Sequence, residues 1–94
     1  MPYVVVAYDI SDDIIRSRVS EKLKSMGFTR IQRSLYVRRG GAYEAKEAAR
    51  ALARIIDYKT DNVIVMVVPW ESLERAFKLG VFSYAESISG YAIL

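Results

Sequence analysis

A chain of 94 residues has room for one hydrophobic core and no second, and 52% apolar with 27% charged residues marks a folded domain rather than a disordered one. The 14 Lys and Arg exceed the 11 Asp and Glu by a net +3, a mild surplus that suits a polyanionic partner without requiring one. No cysteine and no histidine are present, so disulfides, thiolate chemistry, cysteine-held zinc and imidazole bases are excluded, leaving carboxylates, Lys, Tyr, Ser or an oxygen-bound metal ion for any catalysis.

The β-branched and aromatic run Tyr3 to Tyr8 has the pattern of a strand buried on both faces. It lacks a basic leader and meets Asp9 too soon for a signal peptide or a membrane span, so a cytoplasmic location and no membrane are expected. Ser11, Asp12 and Asp13 offer cap oxygens to a first helix, Ile15, Val19, Leu23 and Met26 follow at helical spacing, and Gly27 stands where a left-handed cap would close it. Phe28 to Arg39 is strand-like. It is either one bulged strand or a hairpin turning near Arg33-Ser34, with no Asn-Gly or Asp-Gly to decide.

Tyr43 to Tyr58 predicts a second helix with an apolar stripe of Ala45, Ala48, Ala49, Leu52 and Ile56, while Lys46, Glu47, Arg50 and Arg54 read as a solvated face. Val63 to Val68 is another doubly buried strand, closed by Pro69. Trp70 to Lys78 predicts a short third helix with Trp70, Leu73 and Phe77 inward and Gly80 as its stop. Val81-Phe82 and Ile88 to Leu94 are strand-like. This order predicts one ferredoxin-like α+β domain over residues 1–94, a βαββαβ sheet with its helices on one face. Its other face needs a cover, and a second subunit is the simplest one; the tail over 81–94 would pair across such a homodimer.

Asp9 is the most informative position, because a carboxylate leaving an oily strand needs a cation, water or amide donors. It either caps the following helix or pairs with Arg16 or Arg18, or it holds a hard metal ion; magnesium takes few protein carboxylates, so one Asp9 from each of two chains would make a credible site. Arg16 and Arg18 lie about 200° apart around a helix and cannot share a face. Arg30, Arg33, Arg38 and Arg39 place four guanidiniums within ten residues, suited either to phosphate or to a charged edge that blocks unwanted pairing. Tyr36 beside them is either a base-stacking ring or core.

The block Val-Val-Val-Ala-Tyr-Asp-Ile-Ser-Asp-Asp, followed by Arg16-x-Arg18-Val19, Gly27-Phe28, Arg30-Ile31-Gln32-Arg33-Ser34-Leu35-Tyr36 and Asp61-Asn62-Val63-Ile64-Val65, closely resembles the CRISPR-associated protein two family. The resemblance implies a ferredoxin-fold homodimer with Asp9 of each subunit as metal ligand and catalytic carboxylate for Mg²⁺ or Mn²⁺. It also implies endonuclease activity on RNA or duplex DNA, and a role in spacer acquisition as a scaffold between dimers of the CRISPR-associated integrase, protein one. Arg16, Arg18, Arg30 and Tyr36 match positions sensitive in that family, although Phe is usual where Tyr36 stands and the Arg38-Arg39-Gly40-Gly41 loop is unusually basic. The competing reading is a ferredoxin-like regulatory or assembly module without nuclease activity.

Overall fold

The computed structural model describes residues 1–82 and a two-residue strand near the C-terminus. In chain order the elements are β1 (Pro2–Asp9), α1 (Asp13–Ser25), β2 (Thr29–Gln32), β3 (Leu35–Arg39), α2 (Ala42–Ala53), β4 (Asn62–Pro69), α3 (Trp70–Glu74), β5 (Phe77–Lys78) and β6 (Ala92–Ile93). The first six follow the expected βαββαβ order. They form an antiparallel sheet ordered β2-β3-β1-β4.

Side chains alternate along β1 as the period of a strand requires. Val4, Val6 and Tyr8 meet Val19 and Leu23 of α1, Ala48 and Leu52 of α2, and Tyr36 of β3 in the main core. The opposite face is a smaller cluster of Val5, Ile31 and Val37, with Leu73 and Phe82 packed against it. Helix α1 begins as the sequence predicts: Asp12 is the N-cap and its carboxylate accepts from the Ile15 amide at 2.9 Å. It ends at Gly27, whose φ of 89° lets the Phe28 amide turn back to the Leu23 carbonyl at 3.0 Å.

Residues 28–39 are a hairpin. Arg33-Ser34 make the turn, a bulge interrupts the pairing between Arg30 and Gln32, and the Tyr8 amide donates to the Ser34 carbonyl at 3.2 Å, tying the turn to β1.

Four expectations are corrected. The second helix stops at Ala53 rather than Tyr58, because Asp57 takes the Lys59, Thr60 and Asp61 amides into a local turn. The third helix stops at Glu74, and Phe77–Lys78 goes extended to run parallel to Ala92–Ile93, which leaves Trp70 and Phe77 exposed instead of inward. Strand β4 is not buried on both faces: it lies at the rim of the sheet, and Ile64 and Met66 are 57% and 44% exposed. Val81-Phe82 form no regular strand, and most of the 81–94 tail lies outside the described residues. Among the described residues, no helix is long and apolar enough to cross a membrane.

Candidate nucleic-acid interface

Asp9 ends β1 opposite Asn62 of β4 and is exposed. Strand alternation gives it the phase of Val5 rather than that of Tyr8, so it belongs to the open face of the sheet, in line with Ile64 and Met66 along the neighbouring strand. It neither caps α1 nor pairs with Arg16: the cap is Asp12, and Arg16 pairs with Asp13. The strand thus delivers a carboxylate to its end without giving it a hydrogen bond or ion pair among the described residues.

Arg16 reaches back beneath the loop that leaves Asp9. Its guanidinium donates to the Ile10 carbonyl at 2.9 Å and the Ser11 carbonyl at 3.3 Å while pairing with Asp13. Arg16 is therefore a positioning residue for the Asp9 loop. Arg18, about 200° round the helix, stays exposed and faces the other flank of α1.

Between α1 and the hairpin lies a polar cavity of about 310 Å³, into which Arg16, Arg30 and Arg33 converge with Tyr8, Ser20 and Tyr36. The Ser20 and Tyr36 hydroxyls are 2.6 Å apart, and the Tyr8 and Tyr36 rings stack at 6.0 Å. Burial pushes the Tyr8 hydroxyl from 10.0 to about 12; its hydrogen bond to Tyr36 and the charge there add to the rise, against the opposing pull of Arg30 and Arg16. Tyr8 is thus a proton-bearing donor at neutral pH and not a base. Sequence reading left Ser20 unremarked, though its spacing of one helical turn from Arg16 puts both on one flank.

The arginine run does not make one patch. Arg30 and Arg33 join Arg16, but Arg38 turns inward: it donates to the Met26 carbonyl at 2.6 Å and lies over the Phe28 ring, closing the C-terminal end of α1. Arg39 pairs in register with Tyr3, six residues along β1 from Asp9 and so roughly 20 Å away. Tyr36 is wholly buried, so base stacking is corrected to a core role; its pairing opposite Val6 faces it into the helical side.

The chain matches the family model described as CRISPR associated protein Cas2 over residues 1–76. It belongs to the Cas2 family. A Cas2 relative from Aeropyrum pernix, named CRISPR-associated endoribonuclease Cas2, is 49% identical over 80 residues, covering 85% of this chain and 87% of its own. A Thermoproteus tenax protein named a CRISPR-associated endonuclease Cas1/endonuclease Cas2 fusion is 32% identical, over 82% of this chain and 29% of its own. The fold is that of Streptococcus pyogenes Cas2, with a TM-score of 0.71 at 24% identity over 83% of this chain and 99% of that one.

The Asp9 carboxylate offers hard oxygens that no hydrogen bond or ion pair occupies among the described residues. Among the described residues no group of three or more acidic or other metal-ligating side chains forms. The donor chemistry fits Mg²⁺ or Mn²⁺ as half of a site, since such ions take one or two carboxylates and fill the remainder with water and phosphate oxygens.

Proposed function

We propose that this Cas2 family member acts as a homodimer on nucleic acid in CRISPR spacer acquisition, in the cytoplasm and together with a Cas1-type integrase, and that it hydrolyses phosphodiester bonds at Asp9. The observation that carries the reading is the exposed, unpaired carboxylate at the end of β1, on the face where Ile64 and Met66 remain uncovered. A second copy seated on that face would bring twin Asp9 carboxylates together, completing the half-site for Mg²⁺ or Mn²⁺. The names of the Aeropyrum relative and of the Thermoproteus fusion support the nuclease and integrase parts.

The ion would lower the pKa of a bound water and offset charge on the reacting phosphate. The chain's own residues do the remainder. Arg30 and Arg33 grip phosphate oxygens as guanidinium forks, Arg18 does so on the far flank of α1, and Arg16 holds the Asp9 loop in place. Tyr8 keeps its proton and orients by donating a hydrogen bond. Because Asp9 and the guanidinium cavity occupy opposite phases of β1, grip and hydrolysis are separable.

Asp9→Asn tests this. Metal-dependent cleavage of RNA or duplex DNA falls by at least about 10²-fold while binding at low salt is unchanged. Cleavage that survives a chelator or Asp9→Asn removes the metal-dependent role of Asp9, and wild-type protein that cleaves neither substrate leaves an assembly module. Loss of binding in a folded Asp9→Asn protein overturns the separation of grip from hydrolysis.

A further inference from the structure

Helix α1 carries basic residues on both flanks, and on the flank turned toward α2 only Arg18 has so far been given a role. There Arg18 and Lys22 of α1 face Arg50 of α2 and Arg54 at its C-cap across an open groove of about 900 Å³. Within each helix the two cations are four residues apart, hence stacked one turn above the other at about 6 Å along the axis. Met26, Ala51 and Ile55 supply an apolar floor. Two carboxylates, Glu21 and Glu47, also line the groove; Glu47 lies 3.9 Å from Arg50 in an exposed i, i+3 pair, too weak to occupy that guanidinium.

The distribution of charge singles this region out. The groove and the hairpin-side cavity together hold seven of the 14 Lys and Arg but three of the 11 Asp and Glu. The remaining residues hold seven cations against eight carboxylates, so the net positive charge of the chain resides entirely on the two flanks of α1. Of the solvated face expected at Lys46, Glu47, Arg50 and Arg54, the last three also form one wall of this open groove.

The geometry points to a second phosphate-binding track: the α1–α2 groove holds one strand of a nucleic-acid backbone, with Arg18, Lys22, Arg50 and Arg54 on its phosphates and the apolar floor beneath its sugars. Rows of cations at one-turn spacing suit a repeating anion, and the flanking cavity of Arg30 and Arg33 lets a backbone continue over α1. This track rests on the proposed nucleic-acid function and extends it to residues of α2.

The test is the salt dependence of binding, measured with a short duplex DNA and with single-stranded RNA of the same sequence. Each phosphate contact removed lowers the slope of log K against log salt by about 0.9 for duplex and about 0.7 for a single strand. Arg50→Gln with Arg54→Gln therefore flattens the duplex slope by about 1.8, and Glu47→Gln tightens binding. Arg75→Gln, at the C-cap of α3, and Glu71→Gln, within it, remove one cation and one carboxylate elsewhere and leave both readings unaltered. An unchanged slope in folded Arg50→Gln/Arg54→Gln, or equal effects from the α3 variants, overturns the track while the proposed function stands. Wild-type protein that binds neither probe at low salt overturns both.

Discussion

The Tyr8 hydroxyl has a titration that can be followed directly. The unfolded chain ionises it near 10.0, whereas the folded protein holds the proton until about 12. The unfolded state therefore loses the proton first, and this group lowers stability as pH climbs from 10 toward 12, with no effect below that window. Ultraviolet titration of tyrosinate should show a late step near pH 12 that disappears in Tyr8→Phe. A late step that persists in the variant assigns it to another tyrosine. The same cluster explains the residue at position 36. A buried hydroxyl needs a partner, and Ser20 at 2.6 Å supplies one, so the oxygen that distinguishes Tyr36 from Phe sits inside a hydrogen bond.

Elements show where local chemistry overrides pattern. Asp12→Ala removes the oxygen that satisfies the Ile15 amide, and unfolding in urea should register a loss of about 1 kcal/mol, within the usual 0.5–2 range. An unchanged midpoint would mean that Ser11 or Asp13 takes over the cap. That cap, the left-handed Gly27 and the buried β1 were all legible because each depends on nearby residues. Less local outcomes were not. Ile55 and Ile56 prolong the apolar stripe of α2 beyond the point where Asp57 ends it, so periodicity overruns the helix. The guanidiniums of residues 30–39 are neighbours in sequence, but the turn at Arg33-Ser34 pairs Arg30 with Tyr36, Arg38 further along the same face turns to the Met26 carbonyl, and strand alternation puts Arg39 on the opposite face. Asp9 stood out as a candidate because it ends an oily run; which face it joins became visible only with the register of β1 against β4.

Among the described residues, one side of the sheet is covered more fully than the other. The helices close over Val4, Val6 and Tyr8, while the opposite side receives short α3 and Phe82 from the described residues, with Ile64 and Met66 exposed at the rim. Ile64→Lys with Met66→Lys should yield a folded monomer in sedimentation and, since Asp9 would lose its twin, a metal-dependent activity reduced about as far as by Asp9→Asn. The far-ultraviolet spectrum should not change, because both positions are already exposed. A double variant that stays dimeric would place the interface elsewhere.

The bare outer edge of β4 has a thermodynamic corollary. One of the two eight-residue strands, Asn62–Pro69, lies on the border of the four-stranded sheet, so in the proposed dimer a second copy would add to the stability of the fold and mass action would enter its folding equilibrium. Its melting point should climb with protein concentration, and dilution alone should soften it.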